Sequence, residues 1–150
     1  MKVHRRLFER RSQAGMTLVE VVFSLTIGGM VFGGILLGYV HSANRSEWSA
    51  YHLAAQASAS QRLETARAAK WDTQSAPAVD MLVAANFPPT VEILDVPQSG
   101  TNVTYTTNFV FITNVSADPP LKMIRVESIW HFRARGLFTN TTATYRAPDQ

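Results

Sequence analysis

Cysteine is absent from the 150 residues of this chain. That absence excludes a disulfide framework, a thiolate zinc site, a thiol nucleophile and the acylated cysteine of a bacterial lipoprotein. The signatures of catalysis are missing too. His41, His52 and His131 stand apart with no H-x-x-x-H or H-E-x-x-H pair, and there is neither a G-x-S-x-G elbow nor a glycine-rich phosphate loop. His4 adds nothing to them. Asp72, Asp80, Asp95 and Asp118 are too dispersed for a calcium loop and read as solvated loop carboxylates. No catalytic residue, metal site or cofactor is expected, and the chain does not read as an enzyme.

Charge is missing from one long stretch. Between Val21 and Ala43 there is no Lys, Arg, Asp or Glu. As a helix, Met16 to Val40 would be about 37 Å long, enough for a hydrocarbon core of about 30 Å. A cleaved secretory signal has a shorter apolar region of about 7 to 15 residues, and the nearest small-residue site here, Val40 to Ser42, follows a full span. An uncleaved signal anchor would need only the length and the charge asymmetry.

What charge there is lies unevenly. The formal net charge is +3, yet Lys2, Arg5, Arg6, Arg10 and Arg11 against Glu9 place +4 before Met16, leaving nine basic and ten acidic side chains beyond it. The basicity belongs to the first fifteen residues, so a nucleic-acid partner has little compositional support. Basic residues on the N-terminal flank, against a balanced Arg45 and Glu47 on the other, keep the N-terminus cytoplasmic by the positive-inside rule.

The junction "AGMTLVEVVFSLTIGG", Ala14 to Gly29, resembles the prepilin-type leader of type IV pilins and type II secretion pseudopilins. In that family a short basic leader ends in glycine, the next residue becomes the mature N-terminus, and a glutamate stands fifth in the mature chain. Gly15, Met16 and Glu20 occupy those places. The resemblance implies cleavage after Gly15 by a membrane-embedded prepilin peptidase, N-methylation of Met16, and assembly with other pilin or pseudopilin subunits on an inner-membrane platform.

Physical chemistry supplies a reason for the spacing. Cleavage would create an α-amino group whose ordinary pKa is about 7.7 to 8.0, cationic at neutral pH. Glu20 lies about one helical turn beyond it. Neither charge is tolerated in an apolar setting unless paired, so Glu20 of one subunit meeting the Met16 ammonium of the next would neutralise both and set their register. A local reading also exists: Thr17 to Glu20 is the S/T-x-x-E pattern of a capping box. It accounts for the glutamate alone, not for Gly15, the basic leader or the span. The two roles can succeed one another.

Glycines crowd the span. Gly29 with Gly33 and Gly34 with Gly38 form two G-x-x-x-G patterns that permit close helix packing in lipid, and each glycine weakens the helix by about 1 kcal/mol relative to alanine. A simple lipid-facing helix rich in glycine is the alternative.

Beyond Asn44 the pattern predicts that the helix continues from Ser46 to Trp71, with Trp48, Tyr51, Ala55, Ala59 and Ala66 near one face and a Glu64–Arg67 pair. A short helix is expected at Ala78 to Phe87, before Pro88 and Pro89. Strands are expected at Val91 to Val96, at Val103 to Val115 with Val103, Tyr105, Phe109 and Phe111 on one side, at Met123 to Ala134 with Ile124, Val126, Trp130 and Phe132 together, and at Leu137 to Arg146 after an Arg135-Gly136 turn. Arg125, His131, Arg133 and Arg135 form an interrupted basic stripe, which a DNA-binding competence subunit would use and a solvated sheet face explains as well. Asn44, Asn102, Asn114 and Asn140 begin sequons to which no function is assigned.

The expected fold class is α+β: a long N-terminal transmembrane helix packed under a small antiparallel sheet, as in pilins. The expected organisation is a leader at 1–15, an assembly segment at 16–43, an exposed helical extension at 44–75 and a periplasmic head at 76–150. The expected role is structural: a minor pseudopilin or pilin-like subunit held in membrane lipid at the bacterial inner membrane. A signal-anchored periplasmic protein and a DNA-binding minor pilin are the rivals.

Overall fold

The computed structural model describes residues 15–94, 103–133 and 135–149. The leader charges from Lys2 to Arg11, His4, Asp95, Val96, Asn102 and Ala134 lie outside the described residues.

Helix α1, Leu18–Arg67, runs for 50 residues without a proline. Its start is capped: the Thr17 hydroxyl accepts the Glu20 N–H at 3.3 Å. Glu20 in the first turn and Arg67 in the last also complement the helix dipole. The chain divides into two compact units, Met1–Ala43 and Asn44–Gln150. In the first, no described side chain is buried, and the helix is long and apolar enough to cross a membrane.

In the second unit α1 turns Tyr51, Ala55, Ala59, Leu63 and Ala66 inward. Leu63 joins the face expected from sequence. The Glu64–Arg67 pair forms at 2.7 Å on the exposed side. The helix stops at Arg67 rather than reaching Trp71, because Trp71 has stronger claims elsewhere. Its N–H donates to Asp149 Oδ2 at 2.9 Å, its carbonyl accepts the Asp149 N–H at 2.7 Å, and its ring is buried. Tertiary pairing outweighs the helical propensity of the preceding alanines.

Strands β1, Trp71–Asp72, and β2, Val79–Asp80, form a small antiparallel ladder. The helix expected at Ala78 to Phe87 is therefore replaced by β2 and a single 3-10 turn, Ala84–Asn86. The backbone donors that a helix would use are taken: Met81 N–H goes to the Lys70 carbonyl and Leu82 N–H to Asp80 Oδ1. Leu82 is thereby fully buried.

The main sheet has strands β3, Thr90–Ile93, β4, Tyr105–Ala117, β5, Pro120–Phe132, and β6, Gly136–Arg146, in the order β3-β4-β5-β6, all antiparallel. Asp118 and Pro119 turn β4 into β5. Gly136 opens β6 at φ 97, a left-handed conformation that disfavours a side chain. Pro88 and Pro89 stand just before β3, and β3 reaches only Tyr105 to Asn108 of its longer neighbour.

On β5 the inward set is as expected, with Ile124, Val126, Trp130 and Phe132 all buried. On β4 it is the reverse of what the aromatics suggest. Tyr105, Phe109 and Phe111 share the face turned away from the helix, while Thr106, Asn108 and Val110 are buried. Val103 precedes the strand.

Two apolar clusters lie between α1 and the sheet. One gathers Ala59, Leu63, Ala66, Trp71, Leu82, Val110, Ile124 and Val126; the other gathers Tyr51, Ala55, Leu94, Trp130 and Phe132. A polar row crosses all four strands: Thr90 faces Asn108, Asn108 faces Ser128, and Ser128 faces Asn140. Two of its members, Asn108 and Asn140, are tied to α1. Asn108 Nδ2 donates to Ser58 Oγ at 2.7 Å, and Ser58 donates to Glu92 Oε2 at 2.6 Å. Asn140 Oδ1 accepts the Trp130 indole N–H at 2.9 Å, while its amide nitrogen reaches the His52 ring, the His52 carbonyl and Gln56.

Because Asn140 satisfies a buried indole and the helix together, Asn140→Ala is expected to destabilise the head by about 1–3 kcal/mol. Asn114→Ala, at an exposed position of β4, should stay within about 0.5 kcal/mol. Denaturant titration of the full chain in detergent, followed by tryptophan fluorescence, measures both.

Candidate assembly segment

Gly15 and Met16 precede α1 in non-helical, exposed backbone, and Thr17 supplies the cap that starts the helix. A peptide bond placed there is accessible, and its downstream side begins a rigid rod. Glu20 sits in the first turn with its side chain exposed. Only the Thr17 half of the capping pattern uses Glu20, and it uses the backbone N–H, so the carboxylate remains available to another group. Thr26 returns its hydroxyl to the Val22 carbonyl at 2.8 Å, which hides one polar group of the apolar run within the helix itself.

The glycines follow no demand from their own chain. A Cβ built on Gly28, Gly29, Gly33, Gly34 or Gly38 would meet nothing within 4 Å. At 3.6 residues per turn, Gly29 and Gly33 mark one face, and Gly34 and Gly38 another about 140° away. Eighteen residues make five full turns, so Gly38 stands above Glu20 on the same face. One line along α1 thus carries a carboxylate at its foot and bare backbone higher up.

The head gathers other candidate groups without making a reactive site. Among the described residues no three His, Asp or Glu side chains are placed to hold a metal ion. His41 and His131 are exposed, and His52 stacks on Trp48 at 5.2 Å while meeting Asn140. An open depression of about 340 Å³ borders Trp71, Asp80, Ser116 and Lys122. Its lysine is committed: Nζ donates to Asp80 Oδ2 at 2.5 Å and to the Leu82 carbonyl at 2.8 Å, and lies over the Trp71 ring. Two arginines of the basic stripe are similarly occupied. Arg125 pairs with Glu127 at 3.0 Å and covers the Phe111 ring, and Arg133 pairs with Glu47 at 3.7 Å.

Two carboxyls are held below the usual aspartate range. For Asp149 the main cause is the Trp71 N–H, followed by Arg146; for Asp72 it is the Gln74 N–H and then that of Ser75. Asp149 thereby holds β1, and Asp72 the loop that follows it.

The decisive comparison falls on the junction. A family model for the prokaryotic N-terminal methylation motif matches residues 10–36. The chain carries the prepilin-type motif of type IV pilin-like proteins. The matched stretch includes Gly15, Met16, Glu20, Gly29, Gly33 and Gly34, and stops short of Gly38. No curated protein and no solved structure matches the chain. The long apolar helix with a C-terminal antiparallel sheet is a pilin-like α+β arrangement, and the helix fits a single-pass membrane anchor bearing a prepilin-type signal.

The lowered Asp149 carboxyl has a pH consequence. Its folded value lies beneath the ordinary 3.8, so its stabilisation is present above that value and is lost as pH falls through the lowered one. An NMR titration of the Asp149 carboxyl should give a midpoint under 3.8 in the folded chain, and Arg146→Gln should move it upward.

Proposed function

We propose that this chain is a minor pseudopilin or pilin-like structural subunit, without enzymatic activity, of a type II secretion pseudopilus or a type IV pilus. The observation that carries the reading is the prepilin-type motif at residues 10–36 set at the start of a continuous helix, with Glu20 exposed in its first turn. Residues 1–15 are the leader, 16–43 the assembly segment, 44–75 its helical extension and 76–150 the periplasmic head. Before assembly the chain sits in the bacterial inner membrane with its N-terminus cytoplasmic.

In this reading a prepilin peptidase cuts after Gly15 and Met16 is methylated on its new amine. Methylation keeps the positive charge. The Thr17 cap preserves the helix start once the leader is gone, so the ammonium and the Glu20 carboxylate are held one turn apart on a rigid segment. Within one subunit they stabilise the helix end only weakly, because the charge is presented to the side. Between neighbours the ammonium of one meets the carboxylate of the other, and the penalty for holding either in lipid is removed as the helices pack. Gly29, Gly33, Gly34 and Gly38 let adjacent backbones approach closely. The assembly platform and the other subunits are the partners; the head contributes contacts along the fibre.

Intact-mass measurement on membrane-extracted protein from cells with an active prepilin peptidase tests the processing. A mature chain beginning at N-methylated Met16 is expected; a retained leader overturns it. Glu20→Ala should lower fibre incorporation by about tenfold or more, the scale set by close charge pairs at interfaces, without preventing cleavage. Undiminished incorporation would show that the ammonium needs no such partner.

A further inference from the structure

We propose that the membrane-near end of the sheet is a second membrane contact, a lipid-facing rim that seats the head on the headgroups of an anionic bilayer. This rests on the reading of the apolar segment as a membrane anchor, and adds to it a partner for residues that the anchor does not involve.

The direction of the sheet along the head is fixed by contacts. At one end Lys122 lies over Trp71, and Arg146 donates to the Ala69 carbonyl. At the other, Phe132 meets the Tyr51 ring at 5.9 Å, Phe138 meets Trp48 at 5.8 Å, and Arg133 pairs with Glu47. The turn between β5 and β6 is therefore beside Glu47. Glu47 follows the last residue of the charge-free run, Asn44, by three positions, a separation of about 4.5 Å in a helix and under about 11 Å even in extended chain. Connectivity therefore tethers this end of the head to the C-terminal end of the apolar run.

The residues found there have the composition of a bilayer interface. Ile93 faces Tyr105 and His131 faces Leu137, and the Thr106–Trp130 pair sets these two halves side by side. The result is one row across the outer face, with Ile93 59%, Tyr105 55% and Leu137 73% exposed. Such large apolar groups are here on the face opposite the core, while the core face of the same strands buries Thr106, Asn108 and Ser128. Arg133 and Arg135 border the row, and Arg45 lies just before Glu47 on α1. Among the described residues, three arginines against one glutamate leave this rim positive. Aliphatic tips that enter the acyl boundary, a tyrosine at headgroup level and arginines that reach phosphates describe an interfacial contact.

The chain's lack of cysteine makes the test direct. A nitroxide is attached to Leu137→Cys or Tyr105→Cys in the full chain, with Val115→Cys at the far end of the sheet as reference. Each is reconstituted into vesicles of phosphatidylcholine, alone or mixed with phosphatidylglycerol, and flotation establishes anchoring. In the mixed vesicles the labels at 137 and 105 should lose collisions with a water-soluble nickel chelate and gain them with oxygen, while the label at 115 stays open to both. Arg45→Glu and Arg135→Glu should each weaken the contact by at least about fivefold, the factor for one basic residue at an anionic surface. Labels at 137 and 105 that remain equally open to nickel in both lipids, on a chain that floats, overturn the rim contact alone. Shielding that follows protein density and ignores phosphatidylglycerol overturns it in favour of a neighbouring subunit. A chain that floats with neither vesicle overturns the anchor, and the rim contact with it.

Discussion

The seam where α1 meets the sheet is the constraint on which the head depends. Ala55, Ala59 and Ala66 have no exposed surface, and their small size lets the strands lie close to the helix. Close approach alone would leave the helix free to slide, since alanine offers little to grip. The polar row removes that freedom. Ser58 is bonded to Asn108 and to Glu92, and Asn140 is bonded to His52 and Gln56, so a shift by one turn would strand several buried polar groups at once. Two apolar clusters supply the burial; the row between them supplies the alignment.

The first half of the same helix fits a different solvent. From Met16 to Val40 the large apolar side chains are exposed, an arrangement that water penalises and hydrocarbon does not. Alanine-rich sequence suits the sheet-facing part, glycine-rich sequence the lipid part, and one uninterrupted backbone carries both. Each half has small residues, for separate reasons. In the head they admit strands of the same chain, whereas in the span no neighbour among the described residues comes within reach of a glycine Cβ.

Much of this was legible beforehand. The prepilin-type motif is local and covalent, so it is readable without a fold, and the apolar alternation of β5 points to its buried face. Trp71 reads as helical from its neighbours because its partner, Asp149, is 78 residues away. The face of β4 is hidden for a related reason: its buried positions are polar, and their partners, Ser128 for the Thr106 hydroxyl and Ser58 for the Asn108 amide nitrogen, lie on other elements. Asn140 reads only as the start of a sequon, and nothing in its neighbours Thr141 and Thr142 announces the indole it serves. The strand near Val79 replaced a helix because Asp80 spends its carboxylate on the Leu82 N–H and on Lys122.

The shortness of β3 leaves a mark on the sheet's outline. Pro88 and Pro89 stop it from following its neighbour, and among the described residues no strand pairs with the border of β4 from Phe109 to Ala117. Amides and carbonyls there form a bare template, and the bulge between Asn114 and Ser116 interrupts it near one extremity. A head kept soluble without its companions is therefore most vulnerable to sticking, copy to copy, along that selvedge, and two adjoining prolines are what keep it uncovered.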